Sequence, residues 1–156
     1  MSVATDPPHT TLLSEDTIQA RVRELAAQLS EDYADCDDLI LIGVLKGAFV
    51  FLADIARALT IPRSVDFIAV SSYQGDISSG SVRLLMDSRR DVKGKHVVIV
   101  EDIVDSGRTL HYLTELFKTR NPASVSTCVL VRKLDRIEVE AQIDYLGFDI
   151  PDVWVV

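Results

Sequence analysis

The sequence predicts an α/β domain with a central, mainly parallel twisted sheet flanked by helices. Three observations predict it. Leu39-Ile-Leu-Ile-Gly-Val44 and His96-Val-Val-Ile-Val100 are too apolar for half-exposed strands and suit strands buried on both faces. Segments with helical spacing alternate with such strands. The length of 156 residues gives one domain and no second.

Residues 1–11 read as a flexible N-terminal tail and residues 12–156 as the domain. Ser14 offers a helix N-cap, with Glu15 and Asp16 in the first turn. Ile18, Val22, Leu25, Ala26, Leu29 and Tyr33 then form one apolar stripe. After the strand from Leu39, Phe49 to Leu59 reads as a helix with Phe49, Leu52, Ala53 and Ala56 on one side. Val65–Val70 is a strand. Ser71 to Gly80 is a loop of small and polar residues. Ser81–Met86 is a strand, and the Lys93-Gly94-Lys95 turn leads into the strand from His96. Thr109–Thr119 is helical, and Asn121-Pro122 stops it. Ser124–Val131, Ile143–Leu146 and Val153–Val156 are further strands.

Lys and Arg number 16 and Asp and Glu 24, a formal charge of −8, which argues against sequence-independent binding to nucleic acid or anionic lipid. A small anion remains admissible, because backbone amides can hold phosphate in an acidic protein. No apolar run approaches a membrane span of roughly 18–20 residues. The N-terminus carries no secretory signal, so a cytoplasmic location is expected. Cys36 and Cys128 give neither a disulfide framework nor metal-ligand spacing, and Cys128 reads as a buried apolar residue. His9, His96 and His111 show no ligand spacing and read as structural.

The chemistry concentrates in Glu101-Asp-Ile-Val-Asp-Ser-Gly-Arg-Thr109. A buried strand ends in two acids, and a short loop with Gly107 and the hydroxyls of Ser106 and Thr109 opens a helix. Unpaired amides and the helix dipole make such a corner an anion cradle. Neither the Gly-x-x-x-x-Gly-Lys-Ser/Thr loop nor the Gly-x-Gly-x-x-Gly fingerprint is present. Three acids at the mouth of a phosphate cradle need a reason, and adjacent sugar hydroxyls with a divalent cation such as Mg²⁺ supply one.

Glu101–Thr109 resembles the phosphoribosyl pyrophosphate signature of the type I phosphoribosyltransferases, and within them is closest to the hypoxanthine-guanine phosphoribosyltransferases. Gly43-Val-Leu-Lys-Gly-Ala48 resembles their pyrophosphate loop. Ser72-Tyr73, with Ser78-Ser-Gly80 behind, resembles their mobile loop. Lys133 and the stretch Asp144–Val156 resemble their purine-binding part. These landmarks follow the family order from about Ile40 to Val156.

The resemblance implies the type I phosphoribosyltransferase fold, with a small hood from the chain ends. It implies that Asp105 handles the proton on purine N7 as catalytic acid or base, helix capping being its plainer role. Glu101 and Asp102 would hold the ribose hydroxyls and Mg²⁺. Asp105, Ser106, Gly107, Arg108 and Thr109 would bind the 5′-phosphate, the Arg108 side chain either reaching it or standing in solvent. Leu45, Lys46 and Gly47 would bind pyrophosphate, with a cis Leu45–Lys46 peptide. Lys133 would donate to purine O6, with neighbouring Arg132 as the alternative. Trp154 would stack on the base opposite Ile103, or else pack in the core, and Val155 would offer its backbone to the purine edge. Most family members compared carry a smaller aromatic at the position of Trp154.

The implied reaction is purine salvage: transfer of the 5-phosphoribosyl group from phosphoribosyl pyrophosphate to hypoxanthine or guanine, giving IMP or GMP and pyrophosphate. A nucleotide-sensing regulator of the same fold is the alternative, disfavoured by the charge of −8. A transferase of this fold for xanthine or a pyrimidine is another, and the Lys133–Trp154 segment disfavours a pyrimidine. The resemblance also implies a homodimer or homotetramer, with Leu39–Leu59 as a candidate interface. The family's last strand continues beyond the equivalent of Val156, which implies that the C-terminal part of the domain is missing here.

Overall fold

The computed structural model describes residues 10–72 and 81–155. Helix α1 (Glu15–Asp32) starts where Ser14 Oγ accepts from the Thr17 amide at 3.2 Å, as the capping residue predicts. It buries Val22, Leu25, Ala26 and Leu29, the centre of the apolar stripe. Strand β1 (Leu39–Leu45) leads to helix α2 (Phe49–Ala58), and β2 (Ser64–Ser72) to β3 (Val82–Met86). Strand β4 (His96–Val104), helix α3 (Arg108–Lys118), strand β5 (Ser124–Lys133), a 3-10 turn over Leu134–Arg136 and strand β6 (Tyr145–Ile150) complete the order.

The six strands form one sheet in the order β3-β2-β1-β4-β5-β6, parallel throughout except for the antiparallel edge strand β3. Two cores sandwich it. On one face α1 and α2 cover Leu39, Leu41, Val98, Val100 and Cys128; on the other α3 covers Ile40, Ile42, Val97, Ile99 and Val129. That double cover is why β1 and β4 read as unbroken apolar runs. Strand order reverses between β1 and β4, and ligands of open α/β sheets gather outside the carboxyl ends at such a switch point.

Four expectations need correction. The fourth strand runs to Val104, because its parallel ladder with β5 continues to the pair Val104–Arg132, so Glu101 and Asp102 lie inside the strand and do not end it. Strand β2 likewise continues through Ser71 and Ser72, which pair with Arg83 and Val82. In α2 the buried side is Phe51, Leu52 and Ile55, whereas Phe49 is 61% exposed. The last strand is Tyr145–Ile150; Val153–Val155 form none. Pro151 has no amide to continue the ladder, and the Val153 amide turns back to the Pro151 carbonyl at 2.8 Å.

Residues 1–9 of the tail with His9, Tyr73–Gly80 of the loop, and Val156 lie outside the described residues. His96 and Cys128 are structural as expected. His96 Nδ1 lies 2.7 Å from Ser124 Oγ, and burial pushes the Cys128 thiol up to about 12. Among the described residues no helix is long and apolar enough to cross a membrane.

Candidate active site

The carboxyl ends of β1, β4, β5 and β6 bring most of the expected residues to one edge of the sheet. Strand β1 ends in Leu45, and the Leu45–Lys46 peptide is cis, as the resemblance implied. Lys46 and Gly47 are exposed. Parallel pairing of β1 with β4 ends at Gly43–Val100, so the acids of β4 stand beside the loop that follows β1. A Cβ on Gly47 would collide with the Asp102 carboxylate, so glycine is what lets this loop lie against β4.

Glu101 is buried, and its Oε2 has no hydrogen-bond partner among the described residues. Burial, reinforced by the neighbouring Asp102 charge, pushes its carboxyl up to about 8. Burial also raises Asp102, against the pull of backbone amides. A buried carboxylate oxygen without a donor is costly unless a ligand completes it. Two adjacent hard-oxygen groups, one of them incomplete, fit hydroxyl donors and Mg²⁺, which keeps waters and takes few protein ligands. Among the described residues no group of three or more His, Cys, Asp or Glu could hold a metal by itself.

Beyond β4 the chain turns through Asp105, Ser106 and Gly107. Gly107 sits in the left-handed region at φ +84° and heads α3 with no side-chain cap. The Arg108 amide donates to Ser106 Oγ at 3.4 Å, and the amides that follow it in the first turn remain available to an anion. Asp105 does not cap this helix: its Oδ1 accepts from Arg136 Nε at 3.0 Å. The segment after β5 clamps the turn from behind. The Glu138 and Val139 amides both donate to the Ser106 carbonyl at 3.0 Å, and a Cβ on Gly107 would strike the Val139 carbonyl. The Arg108 guanidinium donates to Glu138 Oε2 at 3.0 and 2.7 Å in a surface ion pair, which leaves its side chain partly in solvent. Thr109 follows, half-buried, in the first turn of α3.

At the far end, Lys133 closes β5 and is buried, with Nζ 3.5 Å from Asp152 Oδ1. Arg132 is occupied elsewhere, held on β6 by Asp149 at 2.7 and 3.0 Å. Ile103 is half-buried on β4 opposite Val131. Trp154 is 89% exposed, which removes the core-packing alternative and leaves the ring open to solvent. Val155 follows it, half-buried. Ser72 ends β2, and Tyr73 lies outside the described residues.

Arg136, Glu138 and Asp152 were not anticipated. They lie in segments without periodicity, and only the pairing of β5 with β4 and β6 makes them neighbours of Asp105 and Lys133. The spacing Lys133-x-x-Arg136, just past an apolar strand, was the one available signal.

Residues 10–156 match the family model described as the phosphoribosyl transferase domain. A hypoxanthine-guanine phosphoribosyltransferase of Dictyostelium discoideum is 46% identical over 149 residues, covering 93% of this chain and 83% of the relative. One of Mycobacterium tuberculosis is 48% identical over 151 residues, covering 93% and 75%. The crystal structure of a hypoxanthine-guanine phosphoribosyltransferase of Bacillus anthracis superposes with a TM-score of 0.86 at 40% identity, covering 94% of this chain and 84% of that one. Identity at this level across nearly the whole domain, together with the same sheet, places the chain in the hypoxanthine-guanine phosphoribosyltransferase family.

Proposed function

We propose that this chain is a purine salvage enzyme that transfers the 5-phosphoribosyl group from phosphoribosyl pyrophosphate to hypoxanthine or guanine, giving IMP or GMP and pyrophosphate. One observation supports the reading above the others. The Leu45–Gly47 loop, the acids of β4, the Ser106–Thr109 corner and Lys133 converge at the sheet's switch point, with Gly47 packed on Asp102.

Bond breaking at the anomeric carbon develops oxocarbenium character, so the protein's work is positioning and charge stabilisation. The α3 amides with Ser106 and Thr109 hold the 5′-phosphate. Leu45, Lys46 and Gly47 receive the departing pyrophosphate. The Glu101 and Asp102 carboxylates accept from the ribose hydroxyls and would hold Mg²⁺. A Mg²⁺ ion held there would supply positive charge to offset the negative charge gathering on pyrophosphate. Asp105 accepts the proton from N7 as N9 attacks. Lys133 donates to O6, Trp154 and Ile103 flank the base, and Val155 meets its edge through the backbone. Because Lys133 is a donor without acceptor capacity, a 6-amino group opposite it leaves two donors facing each other. The enzyme is cytoplasmic and works as a homo-oligomer, with the exposed Phe49 and Val50 on the expected interface segment.

The test is product formation. With phosphoribosyl pyrophosphate, Mg²⁺ and hypoxanthine, the protein should release IMP and pyrophosphate in equal amounts, and chelation of the metal should stop the release. A protein that binds IMP yet yields no product under these conditions would instead be the nucleotide-sensing regulator.

A further inference from the structure

Four charged groups of alternating sign stand in series where β4, β5 and β6 end. Asp105 follows β4, Lys133 closes β5, Arg136 ends the 3-10 turn, and Asp152 lies just past β6. The parallel registers make them neighbours, since Val104 pairs with Arg132 and Lys133 with Ile150. Asp105 Oδ1 accepts from Arg136 Nε at 3.0 Å; Arg136 Nη1 lies 4.0 Å from Asp152 Oδ2; Asp152 Oδ1 accepts from Lys133 Nζ at 3.5 Å. The two end groups are the proton acceptor and the O6 donor of the proposed reaction. The two middle groups have no part in it so far.

Each middle group leaves its neighbour a working atom. The bond from Arg136 engages Oδ1 of Asp105 and leaves Oδ2 to accept from N7. The bond to Asp152 engages one of the three Lys133 donors and leaves others for O6. On a 6-oxopurine, N7 and O6 lie on one edge, so the acceptor and the donor that read them must stand side by side at a set spacing. We propose that Arg136 and Asp152 form a bridge that sets this spacing, Arg136 as the positioning residue of Asp105 and Asp152 as that of Lys133. The inference rests on the 6-oxopurine reading of the site. About half of the Arg136, Asp105 and Asp152 side chains is exposed, and ion pairs so exposed add little to stability. The effect of the bridge is therefore orientation, for which a planar guanidinium fork is better suited than an ammonium.

Steady-state kinetics on the full chain test it, using wild type, Arg136→Gln, Arg136→Lys, Asp152→Asn, the double variant Arg136→Gln/Asp152→Asn, and Glu140→Gln as a charge control on the same segment. Arg136→Gln and Asp152→Asn should each lower kcat/KM for hypoxanthine about tenfold, the size of one lost charge-assisted hydrogen bond. KM for phosphoribosyl pyrophosphate should stay within about twofold, because the phosphate turn is clamped separately by the Glu138 and Val139 amides. Melting temperatures should stay within about 2 °C. Arg136→Lys should recover part of the loss, the double variant should cost less than the product of the singles, and Glu140→Gln should match wild type. Wild-type kinetics in both single variants, or equal losses in the pyrophosphate-donor KM and the melting temperature, would overturn the bridge while leaving the reaction standing. A wild type inactive on every 6-oxopurine would overturn the functional reading itself, and the bridge with it.

Discussion

The two ends of this active edge treat charge in opposite ways. At β4, Glu101 and Asp102 are two acids side by side, both raised by burial, and the buried Glu101 has an oxygen that no described residue satisfies. Past β5 and β6, Asp105, Arg136, Asp152 and Lys133 alternate in sign, and each meets a partner. The first region is held in a state that a ligand would complete; the second is already arranged. The contrast fits the division of labour proposed for them: hydroxyl and metal binding at one end, base reading and proton transfer at the other.

The largest expected effect lies in the arranged region. Asp105→Asn keeps the shape of the side chain and removes its basicity, so kcat should fall by roughly 10²-fold or more while the melting temperature barely moves. Near-normal turnover would remove Asp105 from proton transfer. Gly107→Ala attacks the clamp between the regions. It forces a side chain into a left-handed backbone and against the Val139 carbonyl, and should cost about 1–3 kcal/mol in denaturant unfolding and raise KM for phosphoribosyl pyrophosphate.

Glu101→Gln tests the incomplete region through pH. The Glu101 carboxyl titrates at about 8 in the fold against an ordinary 4.5, so ionisation opposes folding. The penalty is absent below pH 4.5, grows as pH rises, and is complete above about 8. The glutamine variant without metal should therefore be more stable than wild type by roughly 1–3 kcal/mol at pH 9 and no more stable at pH 4, while losing activity. Equal stability at both values would show that Glu101 is not strained. Trp154→Ala carries the smallest effect. The exposed ring contributes little to folding, so stability should stay within about 0.5 kcal/mol. KM for the base should rise several-fold as stacking worth about 0.5–1.5 kcal/mol is lost.

These regions were legible to different degrees. The alternation of apolar strands with amphipathic helices foretold the parallel sheet, and Glu101–Thr109 announced a phosphate corner, because both depend on local chain pattern. Burial of Glu101 was not legible: an acid next to a strand end reads as solvated, and only the ladder to Val104 draws it inside. The arranged charges were missed for a related reason. Arg136 is 31 residues from Asp105, and Lys133 is 19 from Asp152, so no local spacing joins them; three strands in register do. Asp152–Val156 misled in the other direction. Its residues favour a strand, but Pro151 removes the amide a ladder needs, and Trp154 ends in solvent.

In the proposed reaction Asp105 and Lys133 together read the N7–O6 edge of a 6-oxopurine. Initial rates with hypoxanthine, guanine, xanthine and adenine, measured side by side with phosphoribosyl pyrophosphate and Mg²⁺, test it most directly. The highest kcat/KM is expected with hypoxanthine or guanine, and a value at least about 10²-fold lower with adenine, whose 6-amino group faces the Lys133 donor. Adenine as the best substrate would contradict it.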